Sequence, residues 1–254
     1  AVSEFQIKND TQYIFEGVSD QLKSINDIQR LHRKMALKKL QPYEFITLDN
    51  SYTKIKTIIN YLKQAAVDNN CKIIETELLK NSELKELDSF IQDYNQKIKM
   101  NEILGVNLNN ITDSFFNKGV FNEIDEQQEK LETLKNYFNL FSLSLGAIID
   151  NSGKTKAEVK RSDKEDYFLT ITKSKSKILT ALIKKNPNKI VTFDSGKYSY
   201  KLSDLDLKNT TTQCKIFSGD IKQKSHLRVT YENRVKNMCI NKFADLAYEY
   251  YTKH

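Results

Sequence analysis

The chain has 254 residues, 39% hydrophobic and 29% charged, with a net charge of +7. This composition supports a buried core and excludes a disordered chain, and seven glycines and two prolines are too few turn formers for an all-β protein, so a mainly helical fold follows. Three dispersed cysteines, no CxxC pair, no secretory leader and no apolar run of membrane length argue against a disulfide framework and a bilayer span, and fit an intracellular, reducing setting.

In chain order, the first thirty-odd residues read as helix. Ile25, Ile28, Leu31 and Met35 form one stripe, with Ser24 or Asn26 as the cap. Pro42 breaks this segment at Gln41 and opens a second helix to about Val67, striped by Leu48, Tyr52, Ile55, Ile59 and Leu62. After "DNN" a third helical region covers about 72–99, with Leu84, Leu87, Ile91 and Tyr94 inward. Residues 100–120 read as a connection. A long helix then runs from about Asn122 to Ile149, with Ile124, Leu131, Leu134, Phe138, Phe141 and Leu145 on its apolar face.

Between 154 and 217 the period changes from 3.6 to two. "AEVKR" and "DYFLTIT" read as strands, "KSKILTALIKKN" as a short helix, "KIVTFDSGKYSYKL" as a hairpin around Asp194 to Gly196, and "TTTQCKIF" as a further strand. From Gly219 a helix without Gly or Pro runs to Tyr251. The order predicts a mainly α protein with a small inserted α+β module, in which long antiparallel helices carry the β-rich part at their tip. The alternative is a compact α+β domain with the sheet packed on the helices.

The positive charge is concentrated. Residues 151–225 carry 17 Lys and Arg against 8 Asp and Glu, while the remainder is net −2. A polyanion partner fits that segment, the alternative being a solvated lysine-rich surface. Lys160, Arg161 and Lys164 lie around the turn between the first two strands; Lys173, Lys175 and Lys177 follow the second strand; Lys208 and Lys215 flank the last. If the strand at "DYFLTIT" ran on, the latter lysines would share a face with Tyr167, Leu169 and Ile171, so the apolar face has to end near Thr172. Lysine suits backbone phosphates as a compact point charge, and base-reading arginines are nearly absent, so contacts are expected to be sequence-independent and salt-sensitive.

Other chemistry is weak. "NSGKTK", Asn151 to Lys156, lacks the glycine five residues before Gly153 that a phosphate loop needs. His32, His226 and His254 are scattered, and Glu165–Asp166 and Asp204/Asp206 lack a third ligand for a cation. No catalytic constellation, metal site or cofactor site is expected.

Several stretches resemble the middle portion of MutS-type DNA mismatch-recognition ATPases. "INDIQRLHRKMALKKLQPYEF", Ile25 to Phe45, is similar to the family's D-[IL]-x-R-[LI] helix followed by an A-L step and a proline. "FFNKGVFNEIDEQQEKLETL", Phe115 to Leu134, resembles E-G-x-x-x-E-L-D-x-L-R. "SGKTKAEVKRSDKEDYFLTIT", Ser152 to Thr172, resembles T-G-I-K-x-L-K-V-x-x-N-x-x-x-G-Y-Y-I-E-V-T, with Tyr167-Phe168 at Tyr-Tyr and Asp166 at the second glycine. "NTTTQCKIFSGDIKQK", Asn209 to Lys224, is similar to T-L-K-N-A-E-R-Y-x-x-P-E-L-K-E, with Thr211 and Thr212 at Lys-Asn and Lys215 at Arg.

The resemblance implies core or lever helices over 1–120, an outgoing lever helix over 121–150, a clamp over 151–218 and a returning lever helix over 219–254. It further implies a clamp gripping duplex DNA through its backbone, with a second MutS-like subunit, and ATP and Mg, belonging to the parent protein. No Phe-x-Glu reading domain and no Walker motif occurs in these residues, so a non-catalytic excised fragment, or the middle of a divergent member, is expected. The rival reading is a helical-arm module that binds a protein partner.

Overall fold

The computed structural model describes residues 8–9, 12–68, 80–150 and 157–253. "NSGKTK" and the start of the third helical region therefore lie outside the described residues, as do Cys71 and His254. The chain divides into two compact units, one of residues 1–122 with 236–254 and one of residues 123–235.

The first unit is helical. A two-residue ladder pairs β1 (Lys8–Asn9) with β2 (Gln12–Tyr13) and is followed by α1 (Ile14–Leu22) and α2 (Ile28–Ala36). The single helix expected over the first thirty-odd residues is thus broken. Residues 23–27 turn, and Asp27, rather than Ser24 or Asn26, caps α2 by accepting from the Arg30 amide at 2.9 Å. The helix ends where Lys38 takes a left-handed φ of +54° and its amide reaches back to Met35 at 2.9 Å. The expected stripe is correct from there on, with Leu31 and Met35 each 1% exposed.

Helix α3 (Pro42–Asp68) begins at the proline and packs Ile58, Leu62, Ala65 and Ala66 against Val18 of α1. Helix α4 (Asn81–Lys97) supplies Phe90 and Tyr94. These rings meet Phe45 and Tyr250 edge-on at 5.1–5.2 Å, and Phe243 joins Phe45 at 6.1 Å. Fully buried Tyr94 donates to the Asp49 carboxylate, so the ring cluster carries its own polar anchor.

The second unit contains α5 (Asn122–Ile149) from Glu123 onward, β3 (Glu158–Ser162), β4 (Asp166–Thr172), α6 (Lys173–Lys185), the hairpin β5 (Ile190–Phe193) and β6 (Tyr198–Lys201), β7 (Asp206–Asn209), β8 (Gln213–Phe217) and α7 (Gly219–Lys253) up to Val235. The main sheet is antiparallel throughout in the order β3-β4-β8-β7. Strand β4 stops at Thr172 and a helix begins at Lys173, which is how the chain avoids burying a lysine row beside Tyr167, Leu169 and Ile171. Strand β7 was not foreseen, because "DLKN" holds one apolar residue and owes its conformation to the ladder with β8.

One hydrophobic cluster unites Tyr137, Phe138, Phe141, Leu145 and Ile149 of α5 with Leu169, Ile171, Cys214 and Ile216 of the sheet, Leu179 of α6 and Ile221 of α7. The second half of α5 is therefore core of this unit, not merely a stalk leading to it. Asp166, where the resembling family carries a glycine, opens β4 with φ +52°. Its short polar side chain tolerates the left-handed region that a glycine adopts freely.

Candidate nucleic-acid interface

The strand registers sort the basic residues by face. Directly opposed residues share a face, so the rows Glu158–Thr170–Lys215–Lys208 and Lys160–Phe168 lie on the side away from the hydrophobic cluster. Phe168 and Phe217 sit here with ring centroids 5.7 Å apart, and both are covered by lysine stems. Lys215 Nζ stands 4.7 Å from the Phe168 centroid, and Lys208 Nζ stands 5.0 Å from that of Phe217. Lys164, on the β3–β4 turn, and Lys208 line a cleft beside this face with Glu165, Asp166 and Lys222.

Arg161 is on the opposite face. It pairs with Glu232 at 3.2 Å and faces Tyr167. Tyr167 donates to Glu232 at 2.8 Å, and the Arg228 guanidinium lies 3.6 Å from the Tyr167 centroid. Burial, followed by the bond to Glu232, raises the pKa of the Tyr167 phenol. This network fastens α7 to the sheet and takes Arg161 away from the lysines.

Lys160 and Lys215 of the sheet face are neutralised in place. Lys160 pairs with Glu158 at 3.0 Å, Lys215 with Glu165, and Lys222 approaches Asp206 at 4.0 Å. The hydrogen bond from Lys215 holds the Glu165 carboxyl below its ordinary 4.5, aided by the charges of Lys215 and Lys208. The pair thus contributes stability above about pH 4.5, which is lost as pH falls through the lower folded value. In a carboxyl-detected NMR titration, Lys215→Met should return Glu165 towards 4.5; an unchanged midpoint would place the cause elsewhere.

Helix α6 differs. It follows β4 without a loop, so its first turn stands at the sheet end, while Ser176 and Leu179 anchor it inward. At 100° per residue, Lys173, Lys177 and Lys184 fall within 40° on one exposed face, with Lys185 flanking and Lys175 half-buried. Among the described residues, none of these five lysines, nor Lys189 beyond the helix, has an ion-pair partner; Lys164 and Lys208 also lack one. No acidic residue occupies the first turn of α6.

Of the eight residues singled out from the sequence, Lys160, Lys208 and Lys215 share the outer sheet face with Lys164 at its rim. Lys173, Lys175 and Lys177 share the start of α6, and Arg161 stands apart. Lys184, Lys185 and Lys189 were missed. The helical period through "KSKSKILTALIKK", Lys173 to Lys185, places Lys184 with Lys173 and Lys177, and that signal is present in the sequence.

No protein-family model matches the chain. Over 250 residues, 95% of this chain, it is 28% identical to a protein of Acanthamoeba polyphaga mimivirus named as a DNA mismatch repair protein mutS homolog. The chain spans 22% of the length of that relative. This likeness is distant and points to a MutS-like relation.

Proposed function

We propose that this chain is the lever and clamp portion of a MutS-like protein, and that its β-rich unit holds duplex DNA by the phosphate backbone without reading sequence. The observation that carries this reading is the run of lysines along α6 that no carboxylate among the described residues neutralises. A cation already paired must exchange partners to bind a phosphate, whereas an unpaired one exchanges only solvent and counterions. In this proposal the helices relay clamp position to an ATPase domain outside these residues. ATP, Mg and a second MutS-like subunit belong to the whole protein, and these residues perform no catalysis themselves.

The test is a fluorescence anisotropy titration of the full chain with a labelled duplex at two salt concentrations. Binding is expected at roughly 10⁻⁴ to 10⁻⁶ M near physiological salt. With three to five phosphate contacts, log K should fall with log salt at a slope of about −2.7 to −4.5, independent of duplex sequence. Affinity that does not weaken as salt is added would refute the phosphate mechanism and favour a protein partner for the unit.

A further inference from the structure

Thr170 lies in the middle of the outer sheet face, 3% exposed, and its hydroxyl is buried with no hydrogen-bond partner among the described residues. A native structure rarely leaves such a group unsatisfied, because the lost hydration is not returned. Thr170 lines a small cavity of about 80 Å³ with Glu158, Ile171, Thr172, Lys175 and Gln213, where β4 passes into α6. The donors around it are of one kind. Thr172 is the N-cap of α6, and its hydroxyl meets the Ser174 hydroxyl at 3.1 Å rather than capping a backbone amide, so the first-turn amides keep their donor capacity beside the positive end of the helix dipole. Gln213 accepts from Lys160 at 3.0 Å through its carbonyl oxygen, which leaves its amide N–H groups to donate. Lys175 has no ion-pair partner among the described residues. The one opposing charge, Glu158, is held by Lys160 at 3.0 Å.

We infer that this cavity is an oxyanion pocket for a single tetrahedral phosphate group, bound by the Thr170 and Thr172 hydroxyls, the Lys175 ammonium, the Gln213 amide and the first-turn N–H groups of α6. Its volume admits one such group, and its hydroxyl and amide donors supply directional bonds that the lysine face of α6 lacks. The group is either a phosphodiester of a nucleic acid or free inorganic phosphate. The first source rests on the DNA reading above; the pocket itself does not.

The experiment uses the full chain, its Thr170→Val and Lys175→Gln variants, and two probes. The first probe is inorganic phosphate against sodium chloride at matched ionic strength, read by the melting temperature; the second is a labelled duplex, read by anisotropy. Without phosphate, Thr170→Val should melt at or above the parent temperature, since it removes a buried unpaired hydroxyl of nearly the same shape. With phosphate, the parent chain should gain about 2–4 °C over chloride, and both variants should lose that gain. Both variants should also bind the duplex about five-fold more weakly. A weakened duplex affinity without a phosphate response identifies the phosphodiester as the ligand. A phosphate response without duplex binding keeps the pocket and removes the DNA reading. Variants that match the parent chain with both probes would overturn the pocket, as would a parent chain that responds to neither.

Discussion

Reversing the charge on the exposed face of α6, with Lys173→Glu, Lys177→Glu and Lys184→Glu together in the full chain, should weaken duplex binding on the order of 30- to 100-fold at low salt. Three lost phosphate contacts should also flatten the dependence of log K on log salt by about 2.7. The effect is specific to this face. The same number of reversals on the sheet should cost less, because Lys160 and Lys215 are already engaged by Glu158 and Glu165. Secondary structure should survive, since all three side chains are exposed and the inward anchors Ser176 and Leu179 are untouched. Glutamate at position 173 also sits favourably at a helix N-terminus. Equal losses from the two faces, or a greater loss from the sheet, would remove α6 from the contact.

The second large effect is on stability. Phe141→Ala should destabilise the second unit by about 3–5 kcal/mol, a substantial part of the total stability of an ordinary domain. Phe141 is 1% exposed and its ring meets Tyr200 at 4.5 Å, Phe193 at 5.3 Å and Tyr137 at 5.8 Å. It joins α5 to the β5–β6 hairpin, so its removal opens a void that neither element can close by itself. In hydrogen exchange, protection should be lost over β4, β8 and the hairpin, while the aromatic cluster of Phe45, Phe90, Tyr94 and Tyr250 remains protected. A loss below about 1 kcal/mol would mean that the site collapses readily and that the rings are not the keystone of this unit.

Much of the architecture is legible in the sequence because it is periodic. The stripes of α3 and α5 place Leu48, Leu62, Phe138 and Leu145 inward, and all four are buried. The hairpin is announced by Asp194, Ser195 and Gly196, which all adopt positive φ. What the period cannot reveal is pairing between distant residues. Lys215 and Glu165 are 50 positions apart and Arg161 and Glu232 are 71 apart, so the lysines to be neutralised cannot be read from spacing. The sequence also treats α5 as the approach to the β-rich segment. Its aromatic face becomes core only when the hairpin closes over it. Thr170 shows a finer limit: one threonine in an alternating strand gives no sign that its hydroxyl will be enclosed with no partner among the described residues.

The basic start of α6 has an electrostatic consequence of its own. Lys173, Lys175 and Lys177 crowd the end of the helix where the backbone dipole is already positive, and no acidic residue lies in that turn to offset them. Before any ligand arrives this turn repels itself, and added ions screen that repulsion within about 10 Å at 0.1 M. Salt therefore pulls in two directions. It firms the helix it surrounds and competes with the polyanion that the helix would hold, so conditions that best preserve the fold are those in which its grip is weakest.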